Sequence, residues 1–210
     1  MYAKINNGQV AKYPIHDLRA ELPDVSLPSV LTAENTPEGY VVVQRTTQPA
    51  FEPTAQVAVE LPPVYEDGAW KQAWEVVDLS VEDAATNKAT ALAAMRNEID
   101  EAARALYNRF IPFSQEYELR EKQAQAFKSA NYTGAVPAQV AAYATPAGKT
   151  AKLAADTILA QAAGLRYVIG QLGILRMKKV TLENPNVDIA VARQVTADTL
   201  AGIQMLGAQL

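Results

Sequence analysis

Between Ser80 and Ala130, apolar side chains recur at Leu92, Met95, Ile99, Ala102, Leu106 and Phe113. Steps of three, four and seven stack them on one face of a 3.6-residue helix. Lys88, Arg96, Asn97, Glu101, Arg104 and Asn108 fall on the opposite face. The spacing predicts one long helix that buries a single stripe, as in a small bundle or a coiled-coil-like seam. Ser80 followed by Asp83 is a short-chain variant of the capping box and sets the start after Leu79. Pro112 lacks an N–H and disfavours helical geometry at Ile111, so a bend falls there. Ser114 is the expected cap of the second half, Gln115 to Lys128, on which Tyr117, Ala124 and Phe127 continue the buried line. Glu116 with Arg120 and Glu118 with Lys122 stand four apart, in the order that stabilises a helix.

Further along, Asn131-Tyr132-Thr133-Gly134 reads as a stop, and Pro137 to Tyr143 as a short connecting helix. Thr145-Pro146 has the form of an N-cap and first helical position. The helix expected from there to Lys179 buries Leu153, Ile158, Ala162, Leu165, Ile169 and Leu172. Gly164, Gly170 and Gly173 each cost such a helix about 1 kcal/mol relative to alanine, which points to close approach of another backbone. After Asn184-Pro185-Asn186, a last stripe runs through Ile189, Ala192, Thr196, Leu200, Ile203, Leu206 and Leu210.

Ahead of Ser80 the period changes from helical to alternating. Tyr2–Ile5 and Gln9–Tyr13 flank Asn7-Gly8, the strongest short hairpin signal, because both central residues of a type I′ turn need positive φ. Asp17 to Glu21 reads as a single helical turn. Tyr40 to Val43 reads as a central strand, since consecutive valines leave no polar face. A second hairpin is expected from Val57–Tyr65 and Ala69–Val77 around Glu66-Asp67-Gly68. On its second arm Trp70, Gln72, Trp74 and Val76 share one face. The two tryptophans are either the core of a small sheet or anchors for a partner, since Trp is enriched at interface hot spots. With Phe51 and Tyr40 they are the candidate partner-interface residues.

Eight of the 12 prolines precede Val64, whereas the later chain is rich in alanine. Backbone chemistry therefore divides the 210 residues into a proline-rich β domain, 1–79, and a helical bundle domain, 80–210. The predicted class is α+β, a small N-terminal antiparallel β domain followed by a C-terminal bundle of long antiparallel helices. A net charge of −4 argues against a nucleic-acid partner, which needs a basic surface. Arg176, Lys178 and Lys179 form the one basic cluster and suit the C-terminal end of a helix. Absence of cysteine excludes disulfides and thiolate chemistry. The start Met1-Tyr2-Ala3-Lys4 lacks the run of a secretory signal, so cytoplasmic synthesis is expected. Ile158 to Leu175 is the nearest approach to a membrane span, but Gln161, Arg166 and Gln171 interrupt it, so no membrane partner is expected.

No catalytic, metal or cofactor constellation emerges. Gly148-Lys149-Thr150 ends like a phosphate-binding loop, yet Tyr143 stands where that loop needs glycine and no strand precedes it. His16, the single histidine, neighbours Asp17 without a nucleophile or a second ligand nearby. Asp78, Glu82 and Asp83 are explained by the positive end of a helix dipole. Asn131-Tyr132-Thr133 is a glycosylation acceptor pattern without a secretory context.

Three stretches, MYAKINNGQVAKYPIHDLRAELPDVSLP, DGAWKQAWEVVDLS and FIPFSQEYELREKQAQAF, resemble a family of small bacteriophage tail proteins encoded with tail fibres, the tail-fibre assembly or tail-fibre-associated type. The resemblance implies a non-enzymatic virion protein joining the tail fibre to the baseplate. The alternative it implies is a tail-fibre assembly chaperone absent from the mature particle. Implied partners are tail-fibre or baseplate proteins within a homo- or hetero-oligomer. The implied location is the virion tail, after synthesis and assembly in the bacterial host cytoplasm.

Overall fold

The computed structural model describes residues 2–6, 9–13, 15–28, 30–32 and 34–208. It has an N-terminal sheet followed by long helices, the α+β class expected. The chain separates into two compact units, Met1–Lys88 and Ala89–Leu210.

In the first unit, β1 (Tyr2–Asn6) and β2 (Gln9–Tyr13) form the expected antiparallel hairpin. Its Asn7-Gly8 turn lies outside the described residues. A short helix α1 (Ile15–Glu21) follows and buries Leu18 completely. Then come β3 (Tyr40–Gln44), β4 (Gln56–Glu66) and β5 (Ala69–Asp78), giving the order β2-β1-β3-β5-β4. Central placement of β3 agrees with its valines, although Val41 and Val42 are half-buried and only Val43 is buried. Asp67 and Gly68, both at positive φ, make the tight turn of the β4–β5 hairpin.

One pairing departs from an all-antiparallel sheet: β3 runs parallel to β5, with Val43 beside Trp70. Edge strand β4 also approaches β2, so the sheet curls toward a barrel with Ala3 and Val43 inside. Pro62 and Pro63 sit in β4 at a register shift between Leu61 and Val64, on an edge where a missing N–H breaks no ladder.

The second unit is helical. Helix α2 (Val81–Tyr107), whose first two turns still belong to the first unit, starts where the capping box placed it: the Ser80 hydroxyl donates to the Asp83 carboxylate at 2.7 Å and accepts from the Asp83 N–H at 3.1 Å. A turn and a short 3-10 segment, Ile111–Phe113, interrupt the helix at Pro112, and α3 (Ser114–Ser129) continues it. Ser114 is the first helical residue rather than the cap; Phe113 takes that position without a side-chain hydrogen bond and is 53% exposed. The 3-10 turn shifts the helical phase by the break, which turns Phe113 out of the stripe. Asn131 and Tyr132 at positive φ end α3 at the expected stop. After α4 (Ala138–Ala144) comes α5 (Ala151–Met177), capped by Thr150, whose hydroxyl accepts from the Leu153 N–H at 3.2 Å. Thr145 closes α4 instead of opening α5. That displacement leaves Leu153 in the first turn, exposed. A 3-10 segment and then α6 (Ile189–Gly207), capped by Asp188, complete the unit.

Helix α5 is its spine. Along its N-terminal half, Ala154, Ala155 and Ile158 pack with Ala124, Phe127, Val140 and Ala144 from α3 and α4. Along its C-terminal half, Val168 and Leu172 join Leu92, Ile99, Ala103 and Leu106 of α2 and Ala192, Ile203 and Leu206 of α6. Ion pairs show the direction: Asp100–Arg176, Glu121–Arg166 and Asp156–Lys128 fall in order as α2 and α3 ascend and α5 descends. The bent helix read from sequence thus lies antiparallel to α5. Buried Thr196 and Thr199 donate to the carbonyls of Ala192 and Val195, four residues back, and so carry no unpaired hydroxyl into the core.

Three glycines do not behave as expected. A Cβ built on Gly164, Gly170 or Gly173 would meet nothing within 4 Å, so no backbone packs there. The close approach is at Gly202 of α6, where a Cβ would stand 2.8 Å from Leu175 Cδ2. Ile169 is exposed, because α5 turns only one narrow arc toward its partners.

Candidate functional site

Strand pairing fixes the faces of the sheet. Since Val43 stands beside Trp70, the alternation puts Trp70, Gln72 and Trp74 on the inward face with buried Val43. Both tryptophans are half-buried. The Trp70 ring lies 5.4 Å from that of Tyr65, at an interplanar angle of 60°. Gln72 donates to the Glu60 carboxylate at 2.8 Å, while the Trp74 Nε1 is shielded and meets no acceptor among the described residues. An unpaired buried N–H costs about 1–3 kcal/mol, which the burial of the indole ring has to offset. Tyr40 donates its hydroxyl to the Glu21 carboxylate, which Lys4 also grips at 2.6 Å, and Lys4 Nζ stands 5.5 Å from the Tyr40 ring centroid. Glu21 raises the Tyr40 pKa, since a proton on the phenol is what bonds it. Phe51 is half-buried in the loop before β4, away from regular structure. The four candidate residues therefore occupy three different elements. Side-chain placement of His16 lies outside the described residues.

The opposite face of the hairpin carries a different row. Val57, Val59, Leu61 and Val64 of β4 are 38–42% exposed, beside Val77 of β5. Alternation along 56–66 already contained this row, but from sequence alone nothing distinguishes an outward from an inward apolar face.

In the helical unit, an open cleft of about 660 Å³ forms where α2 breaks before α3. Phe110, Tyr117 and Tyr143 line it against Ile158, Leu165 and Val168 of α5. Arg120 at its edge pairs with Glu116 and stands 5.8 Å from the Tyr117 ring, within cation–π range. On the Tyr143 side, Lys149 Nζ is 5.5 Å from the ring. Gly164 is part of the wall, and the empty space facing its missing Cβ is the cleft itself. Aromatic and aliphatic walls with a few polar groups suit an apolar or aromatic side chain of a partner. Sequence reading did not find this cleft. Its only trace was a mid-helix glycine whose packing reason was assigned to a backbone that is not there.

Two networks tie α5 and the segment after it to α2 and α3. The Asp156 carboxylate accepts from the Tyr132 hydroxyl at 2.6 Å and from Lys128 Nζ at 3.1 Å, and both hold its pKa below the usual value, the hydroxyl most. Asp100 accepts from Lys179 at 2.5 Å and Arg176 at 2.7 Å, which lower its pKa against the opposing effect of partial burial. The basic cluster does stand at the C-terminal end of α5, as read from sequence, and two of its three members also pair with Asp100. Among the described residues no group of three or more His, Asp or Glu side chains is placed to hold a metal ion.

No protein-family model matches the chain, and no solved structure matches it. Over 108 residues it is 37% identical to an uncharacterized 23.3 kDa protein in the lys 3′ region of Haemophilus phage HP1 (strain HP1c1). The aligned stretch spans 51% of this chain and 54% of that protein, about half of each. This similarity supports a bacteriophage origin for the chain and, with it, synthesis in a bacterial host.

Proposed function

We propose that the chain is a non-enzymatic structural protein of a phage tail, an adaptor that joins the tail fibre to the baseplate by gripping one partner with each unit. The observation behind this reading is that two separately packed units each keep a distinct apolar feature uncovered. In one it is the outward row of β4; in the other it is the aromatic cleft at the α2–α3 break. Exposed apolar patches of this sort mark interaction sites more often than chance surface. The likeness to a phage protein and the resemblance of three stretches to tail-fibre-associated proteins supply the context.

Mass spectrometry of purified particles tests the adaptor role: the protein should be present at a fixed stoichiometry with the fibre. Its absence from particles, together with loss of soluble fibre when it is deleted, would assign it to assembly as a chaperone instead. The two surfaces are separable by mutation. Leu61→Asp should abolish co-purification with one tail protein and Gly164→Phe, which fills the cleft, with the other.

A further inference from the structure

The walls of the aromatic cleft are not equally held. Tyr117 stands on α3 and Ile158, Leu165 and Val168 on α5, both long helices, whereas Tyr143 stands on α4, which has seven residues. A helix that short is marginal in water by itself and stays formed only through packing. For that, α4 supplies two buried side chains, Val140 and Ala144, within a cluster made largely of alanines. One further bond ties its first turn to α3: the Gln139 N–H donates to Gln123 Oε1 at 2.8 Å.

The segment that carries α4 begins and ends in left-handed backbone. Asn131, Tyr132 and Gly134 stand at φ of 54°, 60° and 84° before the helix, and Gly148 at 61° after it. Asparagine and glycine take that conformation readily, but a tyrosine does so only where other contacts hold it. The Tyr132 hydroxyl donates to Asp156 of α5 at 2.6 Å, and its N–H donates to the Phe127 carbonyl at 2.9 Å. Its ring meets that of Phe127 edge-on, centroids 5.7 Å apart, and Lys152 Nζ stands 5.1 Å from its centroid. Tyr132 therefore fastens the segment to α5 in a conformation its own backbone disfavours.

Resting on the reading of the cleft as a partner site, we propose that α4 is its movable wall. Residues 131–150 open as one unit about their two left-handed ends, Tyr132 is the latch that sets how often they do so, and Tyr143 is carried against the side chain in the cleft. Opening gives up chiefly the burial of Val140 and Ala144, and relief of the Tyr132 backbone offsets part of that. Moving α5 instead would open both hydrophobic clusters at once. A yielding wall lets one cleft close on aromatic and aliphatic side chains alike.

Hydrogen exchange of the full chain, read segment by segment, tests this without any partner, so its outcome is separate from that of the adaptor role. Amides of α4 should exchange about tenfold or more faster than those of α5, at a rate that low denaturant leaves unchanged, because local opening exposes little surface. Tyr132→Phe keeps the ring and removes the bond to Asp156, and should speed exchange over 133–144 about tenfold further while α2 and α6 keep their rates. Asp156→Ala should act alike, and the double variant should add little to either. Gly164→Phe seats a ring in the cleft and should slow α4 exchange severalfold as Tyr143 closes on it. Exchange of α4 at the rate and denaturant dependence of α5 overturns the proposal, since α4 then moves only when the whole unit unfolds. So does a Tyr132→Phe variant that leaves 133–144 unchanged or speeds every helix equally, full additivity with Asp156→Ala, or no slowing of α4 by Gly164→Phe.

Discussion

The sheet unit and the helical unit spend their apolar residues differently. In the helical unit, Leu92, Ile99, Ala103, Leu106, Val168, Leu172, Ile203 and Leu206 gather in one continuous buried seam. In the sheet unit, burial rests on Ala3, Leu18, Leu31 and Val43, while β4 turns four apolar side chains outward. A helix stripe meets its partner on one side only, so its burial is decided once. A strand in a small curled sheet divides its residues between two faces, and only one can be the inside. The lesson is that the helices share one buried seam while the sheet has a thin core, and that each unit keeps apolar surface uncovered: the outward row of β4 in one, the outer side of α5 with Ile174 and Met177 in the other.

Substitution of matched apolar residues in the two units probes that contrast with the largest effect. Leu106→Asp places an unpaired carboxylate among α2, α5 and α6 and should cost about 4 kcal/mol or more. Val59→Asp on the outward row should cost less than about 1 kcal/mol, because position 59 is already in solvent and on an edge strand. Chemical denaturation of both variants measures the difference. Equal losses would mean that the outward row is covered, and the contrast between the units would fail.

A smaller effect concerns the tryptophans. They stand on the inward face, so a Trp70→Ala, Trp74→Ala double variant should lose about 2–4 kcal/mol of stability in the sheet unit, less than the full cost of two buried rings since both are half-exposed. Were they partner anchors instead, binding to a partner would fall by about 2 kcal/mol or more while the melt stayed in place. A thermal melt beside a co-purification assay distinguishes the two.

Much of this architecture was legible in the chain. The helix start at Ser80, the bend at Pro112, the stop at Asn131 and the β4–β5 hairpin at Asp67-Gly68 all follow from local backbone chemistry, which a sequence states directly. What escaped depends on how elements meet. The start of α5 falls later than expected because Thr150, not Thr145, caps it, and each offers the same hydroxyl. The parallel β3–β5 pair and the inward side of the hairpin needed the register. The cleft needed the geometry of the α2–α3 break, which Pro112 announces without giving its angle.

Asp100 should make the helical unit more pH-sensitive than a neutral residue would. Its pKa is lowered by Lys179 and then Arg176, so the ionised form favours the fold. That stabilisation is present above the unfolded value near 3.8 and is lost as pH falls through the lower folded value. With a quarter of the side chain in solvent, Asp100→Asn should cost about 1 kcal/mol at neutral pH, and the cost should shrink to nothing in strong acid. A constant difference from pH 7 down to pH 2 would show that Asp100 contributes by shape rather than charge.

The finest comparison is between two glycines within the helical unit itself. Gly164 faces open space, so an alanine there gains helix propensity and meets no neighbour. Gly164→Ala should therefore stabilise by about 0.5–1 kcal/mol, visible as an increase of a few degrees in melting temperature. Gly202 has the same intrinsic preference but faces Leu175 at 2.8 Å, and the leucine must move before a Cβ fits. The same propensity gain is then offset by lost packing between α5 and α6, and Gly202→Ala should leave stability unchanged or lower it. If both alanines stabilise equally, Leu175 yields without cost and the α5–α6 contact is looser than its spacing implies. If Gly164→Ala destabilises, position 164 is not open, and the cleft it borders is filled in solution.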